Sequence, residues 1–136
     1  MVSQTGKYAL RILGFLVDNQ GKWLQGKEIA SQTGIPANYL SKILNQLRKR
    51  GLVQSQKGWG GGFLLNPQAL AVPIGEVLEL FEGRRPAGDC IFELRKCDSE
   101  NPCPLHHRWE QIRSEYDGML KTLSVGDLHS IHLKTE

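Results

Sequence analysis

The sequence has few cysteines and lacks a long apolar run, and both shortages restrict the class of protein. Its 136 residues include three cysteines, an odd number. Disulfide frameworks use paired cysteines in oxidising compartments, so we do not expect one here. No stretch approaches the roughly 18 consecutive apolar residues of a membrane span. Residues 9–17 are interrupted by Arg11 and lead to no small-residue cleavage site, so we expect no signal peptide and a cytoplasmic location.

Nucleotide-binding motifs are also missing. The chain has 15 glycines, yet neither GxxxxGK[ST] nor GxGxxG occurs between a strand and a helix. We therefore discount nucleotide binding.

Acidic residues are scarce in the first half of the chain. Residues 1–62 contain nine lysines and arginines against two acidic residues, a formal charge of +7, whereas residues 63–136 contain eight against twelve, a charge of −4. The length suits one core with an appendage. The basic half predicts a module that faces a polyanion.

Apolar spacing predicts three helices in the first 50 residues. Residues 5–19, 26–32 and 37–50 each place apolar side chains on one helical face. Gly34 supplies the bend before the third helix, and Pro36 suits its first position because that N–H needs no intrahelical partner. The first helix is predicted to bury Ala9, Ile12, Leu13 and Leu16, and the third to bury Leu40, Ile43, Leu44 and Leu47.

A glycine-rich hairpin is predicted after the third helix. Gly51 is expected to end that helix in a left-handed conformation. Two short strands at 52–56 and 63–66 are joined through 57–62, whose glycines permit a flexible tip. A further helix over 73–81 completes a compact domain, which we assign to residues 1–83. The predicted class is mainly α with a small β-hairpin.

The order of these parts indicates a winged helix-turn-helix. The second helix of such a pair enters the major groove with its N-terminal residues at the base edges. The candidates for base contact are Asn38, Tyr39, Ser41 and Lys42. Arg48, Lys49 and Lys57 suit phosphates or a narrow minor groove. Trp59 at the wing tip either wedges against the DNA backbone or only shields the hairpin.

All three cysteines lie in the loop predicted over residues 84–103, the cysteine segment. The pattern C-x6-C-x5-C-x2-H runs through Cys90, Cys97, Cys103 and His106. The pattern ends at a predicted helix N-terminus, whose dipole stabilises thiolates. Zinc sites usually begin with a tighter cysteine pair, but thiolates with one imidazole suit zinc as well as an iron-sulfur cluster. The spacing therefore predicts a metal site and leaves the metal open.

The last predicted helix, 104–123, has the rhythm of a coiled-coil seam. Its apolar residues alternate at spacings of four and three. They are Leu105, Trp109, Ile112, Tyr116, Met119 and Leu123. We predict that this helix pairs with its copy in a homodimer, the alternative being that it docks on its own domain. Residues 124–136 are expected to form a tail, with a short helical turn near 126–131.

Several motifs together resemble the IscR/NsrR-type winged-helix regulators of bacteria. They are GKYALR at 6–11, EIA at 28–30, GIPANYL at 34–40, LVQSQKGWGGGF from Leu52, and CPLHHRW at 103–109. The resemblance covers nearly the whole chain. It implies a homodimer joined by the long helix, with a 2Fe-2S or 4Fe-4S cluster controlling DNA affinity.

The resemblance also implies roles for individual residues. Cys90, Cys97 and Cys103 match the thiolate ligands, and His106 matches the histidine that completes the site, with His107 as its neighbour. Some family members take a ligand from an acidic residue in the first helix, where this chain has Lys7; this difference favours His106 and a 2Fe-2S cluster.

Two departures from the family pattern limit what the resemblance implies. The first cysteine gap is six residues where many members have five. In addition, Ser41 and Lys42 replace an acid and an amide of the cluster-assembly regulator, so its operator sequence cannot be transferred.

The leading hypothesis is a homodimeric DNA-binding regulator, most often a repressor, whose cluster senses nitric oxide, redox state or iron-sulfur supply. This hypothesis implies no catalysis, so we expect a protein that is not an enzyme. One alternative is a cluster-free or zinc-stabilised repressor controlled by a thiol switch or a partner protein. Another is a small redox carrier whose basic half binds an acidic protein.

Overall fold

The computed structural model describes residues 2–82, 100 and 104–131, and shows a mainly helical chain with one antiparallel hairpin. The cysteine segment is therefore almost entirely outside the described residues. The helices and strands are α1 (Gln4–Asp18), α2 (Gly26–Thr33), α3 (Ala37–Lys49), β1 (Val53–Gln56), β2 (Gly62–Leu65), α4 (Ile74–Glu82) and α5 (His106–Thr122). Short 3₁₀ turns occupy Pro67–Ala71 and Val125–Leu128.

The predicted core faces of α1 and α3 are confirmed. All eight apolar residues named for these faces are at most 2% exposed. They recur at three- and four-residue intervals, which align them on one side of each helix. The polar residues between them are thereby directed away from the core, and on α3 this leaves a solvent-facing polar surface.

Local backbone geometry sets the angle between α2 and α3. Gly34 ends α2 with φ +74°, in the left-handed region that favours glycine. The α3 helix begins at Ala37, as predicted, and Pro36 precedes it as the N-cap instead of occupying its first position. The reason for proline here is unchanged, since no intrahelical partner exists for an N–H at this point.

A strand-like contact that the sequence did not predict fixes the wing, residues 52–66. Leu24 N donates to Phe63 O at 2.9 Å, and Phe63 N donates to Leu24 O at 2.7 Å. The segment before α2 thus adds a short third member to the hairpin. Gly62 permits this approach: its φ is +129°, and a β-carbon there would overlap Leu24 O.

Replacing Gly62 by alanine should therefore destabilise the protein. We expect Gly62→Ala to lower the free energy of unfolding by about 1–3 kcal/mol, because it adds a methyl group to a strained and crowded position. Urea unfolding followed by circular dichroism measures this change. Gly118→Ala is the matched control: Gly118 lies inside α5 with open space around it, and alanine there should stabilise by up to about 1 kcal/mol. Equal midpoints for the two variants would contradict this account of Gly62.

The C-terminal part of the chain packs against the head, residues 1–83. Ile74 N donates to Leu123 O at 2.8 Å, and Val125 N donates to Val72 O at 2.9 Å, which ties the end of α5 to the start of α4. Val125 and Leu128 belong to the core. Residues 125–128 are thus a packed turn, within the segment predicted as a tail. Among the described residues, no helix is both long enough and apolar enough to cross a membrane.

Candidate DNA interface and cysteine segment

The N-terminal half of α3 presents the predicted base-contacting residues on the surface. Asn38, Tyr39, Ser41 and Lys42 are all exposed, and we call them the reading face. Leu40, between them, is buried and fastens this turn of the helix to the core. The reading face therefore combines amide, hydroxyl and ammonium groups on a rigid support, which is the chemistry that recognises base edges and phosphates.

Two residues of α1 support the reading face, and sequence reasoning did not assign them this role. The rings of Tyr8 and Tyr39 meet edge to face with centroids 6.0 Å apart. The Arg11 guanidinium lies 5.8 Å from the centroid of the Tyr8 ring, and its Nη1 donates to Thr33 O at 3.3 Å. Arg11 thus contacts the last turn of α2 while bordering the aromatic pair. The i, i+3 spacing of Tyr8 and Arg11 was the signal available in the sequence.

The basic residues at the end of α3 have different surroundings. Arg48 Nη2 donates to Asn45 Oδ1 at 2.7 Å, so its guanidinium is held along the helix. Arg50 instead forms an ion pair with Glu76 of α4 at 3.0 Å. Lys49 is exposed beside them. Arg48 and Lys49 are therefore exposed cations at the end of α3, whereas Arg50 links the end of this helix to α4.

The wing tip carries a cation and an aromatic ring in solvent. Lys57 is exposed, and the Trp59 side chain is fully exposed. Gly58 and Gly60 flank the tryptophan with φ angles of +90° and +73°. Gly61 N donates to Gly58 O at 3.1 Å and closes the turn. The tip is thus a defined turn on an anchored hairpin, with a large ring that contributes nothing to the core.

His106 is the described member of the predicted metal site; Cys90, Cys97 and Cys103 lie outside the described residues. It is the first residue of α5 and only 6% exposed, one of two buried polar residues in the described part of the chain. Its Nε2 lies 3.5 Å from Glu110 Oε2, one helical turn further on. The His107 ring contacts it edge to face at 5.4 Å but is itself exposed. Among the described residues alone, no group of three possible metal ligands occurs.

Glu82, the last residue of α4, is bonded to the residue that precedes α1. Ser3 N and Ser3 Oγ both donate to Glu82 Oε1 at 2.7 Å. Ser3 also caps α1, since its Oγ accepts from Gly6 N at 3.1 Å. A β-carbon on Gly6 would overlap Glu82 Oε1, so glycine allows the carboxylate to approach the helix. The end of α4 and the start of α1 therefore form one polar junction.

The apolar residues predicted as a seam on α5 divide between two environments. Trp109 is 3% exposed and lies within its own chain, and Tyr116 is partly buried. The other four remain exposed, and we call them the α5 stripe: Leu105, Ile112, Met119 and Leu123. Three of these recur at intervals of seven residues, which places them on one side of the helix. The heptad pattern thus placed Trp109 among the side chains available to a partner helix, although Trp109 is buried within its own chain.

A family model described as "Rrf2: Iron-dependent Transcriptional regulator" matches residues 2–130. The chain belongs to the Rrf2 family. The predicted winged-helix fold and the predicted resemblance to IscR-type regulators are thereby confirmed, and the chain is a DNA-binding transcriptional regulator.

Individual relatives align with this Rrf2 chain along nearly its whole length. A protein assigned as an HTH-type transcriptional regulator in Aquifex aeolicus is 35% identical, over 97% of this chain and 93% of its own. The HTH-type transcriptional regulator IscR of Escherichia coli is 28% identical, over 93% of this chain and 78% of its own. The structure of CymR, the global cysteine regulator of B. subtilis, superposes with a TM-score of 0.78 and 25% identity, covering 96% of this chain and 97% of that one. All three are regulators, as expected for a protein that is not an enzyme.

Proposed function

We propose that this protein is a cytoplasmic homodimeric repressor whose DNA affinity is set by an iron-sulfur cluster held in the cysteine segment. The observation that carries the proposal is His106, a buried imidazole that begins α5 three residues after Cys103. The head is assigned to residues 1–83, the dimer helix to 104–123 and the C-terminal segment to 124–136. The signal would be nitric oxide, redox state or iron-sulfur supply.

The DNA contacts are proposed from exposure and charge. The reading face would enter the major groove, and Arg48, Lys49 and Lys57 would contact phosphates or the minor groove. Trp59, fully exposed at the anchored wing tip, would pack against the sugar-phosphate backbone. Tyr8 and Arg11 would act indirectly, because they hold Tyr39 and the end of α2 in place.

The donor set fits an iron-sulfur cluster. Cys90, Cys97 and Cys103 would supply three thiolates and His106 the imidazole, a mixed set that such clusters accept. A neutral imidazole is a common metal ligand, and His106 lies three residues after Cys103. When bound, the cluster would supply chemistry that responds to oxidants and nitric oxide, with 2Fe-2S favoured over 4Fe-4S.

This chain's own residues would transmit a change in the cysteine segment. The segment begins directly after α4, whose Glu82 is bonded to Ser3 at the start of α1. One and a half turns along α1, Tyr8 contacts Tyr39 of the reading face. A shift of Glu82 would therefore move α1 and, through the aromatic pair, the reading face. The segment also ends at α5, so the same change would alter the angle between the head and the dimer helix.

The test is the visible absorption spectrum of the anaerobically purified protein, with iron and acid-labile sulfide assays. We expect bands from a cluster, equal amounts of iron and sulfide, and loss of the bands on adding nitric oxide. Cys97→Ser should abolish them, because removal of one thiolate leaves a cluster ligand missing. Ser99→Ala is the control in the same segment and should keep the spectrum.

A second candidate is a cluster-free or zinc-stabilised regulator controlled by a thiol switch or a partner protein. The similarity to the global cysteine regulator CymR over nearly the whole chain supports it. A colourless anaerobic protein that contains zinc or no metal would favour this candidate and overturn the cluster proposal.

A further inference from the structure

We infer that Glu110 is a positioning residue which selects His106, rather than the adjacent His107, as the non-cysteine ligand. The inference rests on the proposed cluster function and names a residue that neither the cysteine spacing nor the family resemblance points to. Its basis is the relation between two adjacent histidines and the two residues one helical turn beyond them.

The two histidines differ in burial and in their neighbours on α5. His106 is 6% exposed and its Nε2 lies 3.5 Å from Glu110 Oε2. His107 is exposed, and the residue four positions after it is Gln111, a neutral amide. Residues three or four positions apart are neighbours on a helix, so Glu110 lies near both rings. Its observed contact is with the buried His106, whereas His107 is exposed. The carboxylate therefore serves His106.

A carboxylate beside a ligating histidine fixes which ring nitrogen binds the metal. Metal-bound imidazoles commonly donate their other ring N–H to a carboxylate, which sets the tautomer and the ring orientation. With Nε2 facing Glu110, the proton would stay on Nε2 and Nδ1 would face the metal. The contact at 3.5 Å is at the outer limit of hydrogen-bond distance. The Glu110 side chain is 54% exposed, so it has room to move closer when the cluster is bound.

Burial strengthens the effect of this pair. An imidazole that is removed from water has few orientations in which both nitrogens are satisfied. A partner on one nitrogen thus limits the directions available to the other. Glu110 touches neither the thiolates nor the cluster in this scheme, and it acts only through His106.

The experiment compares single variants of the cluster-loaded full-length protein. Release of iron to a chelator and the EPR spectrum of the reduced cluster are recorded anaerobically for wild type, Glu110→Ala, Glu110→Gln, His106→Ala and His107→Ala. We expect Glu110→Ala to release iron about tenfold faster or more and to alter the spectrum. Glu110→Gln keeps an acceptor oxygen and should lie nearer to wild type. Glu115→Ala removes a carboxylate elsewhere on α5 and should change neither readout.

The results separately test the role of Glu110, the choice of His106 over His107 and the presence of the cluster. His106→Ala should resemble or exceed Glu110→Ala, and His107→Ala should behave as wild type. If Glu110→Ala matches Glu115→Ala, or if His107→Ala is the damaging variant, the assignment of Glu110 is wrong although the cluster proposal stands. A wild-type protein without iron and sulfide would overturn both. Thermal melts by circular dichroism, expected to be similar for all variants, separate loss of the ligand arrangement from loss of fold.

Discussion

The double variant Asn38→Ala/Lys42→Ala is expected to bind its operator about 30- to 1,000-fold more weakly than wild type. Both side chains are exposed on the first turns of α3, next to the buried Leu40 that holds this part of the helix. Loss of one base contact and one further contact to base or phosphate costs about 2–4 kcal/mol in total. Because neither side chain is part of the core, the fold should be unaffected.

Fluorescence anisotropy at fixed salt, with an operator selected from random duplexes, measures this loss. The control is Gln68→Ala/Lys121→Ala, which removes the same two chemical groups from exposed positions outside α2, α3 and the wing. It should bind within about twofold of wild type, since surface substitutions away from a site have small effects. Unchanged binding by Asn38→Ala/Lys42→Ala would mean that α3 does not read the DNA.

The second large effect is expected from charges placed in the α5 stripe. Ile112→Glu/Met119→Glu should convert the proposed homodimer to a monomer, raising the dimer dissociation constant about 100-fold or more, because carboxylates buried at an apolar interface lose their hydration. Ile112 and Met119 are 52% and 45% exposed and seven residues apart. Sedimentation equilibrium measures the association directly. DNA affinity should fall with it, because a monomer reaches only one half-site.

A matched control places the same charges on the outer side of α5. Ser114→Glu/Lys121→Glu substitutes exposed positions that the heptad pattern puts away from the stripe. This variant should remain dimeric. If both double variants are dimers, α5 does not form the interface. If wild type is itself monomeric at micromolar concentration, the homodimer proposal fails.

The parts of the fold that follow from local periodicity were predictable from the sequence. The core residues of α1 and α3 recur at helical spacing, and the turn at Gly34 uses a conformation that glycine favours. In contrast, Leu24 pairs with Phe63, and Ser3 bonds to Glu82 across 79 positions. Such contacts depend on how finished elements pack together, and no pattern within either segment specifies them.

In the candidate site, too, local spacing predicted some features, whereas contacts between distant segments could not be predicted. Exposure of the reading face followed from helical spacing, because its residues alternate with the core positions of α3. Support by Tyr8 did not, since it requires knowing that α1 crosses α3 near Tyr39. On α5, the heptad pattern could not tell which apolar side chains its own domain would cover. Trp109 is 3% exposed within its own chain, whereas Ile112 is 52% exposed.

The pairing of Leu24 with Phe63 restricts the conformational changes by which a signal could alter DNA binding. It joins the wing to the segment that leads into α2, which Gly34 connects to α3, so the wing and the reading face of one head would move together. In the proposed dimer, a signal would then move these parts as one unit and change the distance and twist between the two heads. One extra base pair between half-sites rotates them by about 35° relative to each other. Recognition would thus depend on operator spacing as much as on operator sequence. The signalling state of the protein would determine which half-site spacing the dimer binds.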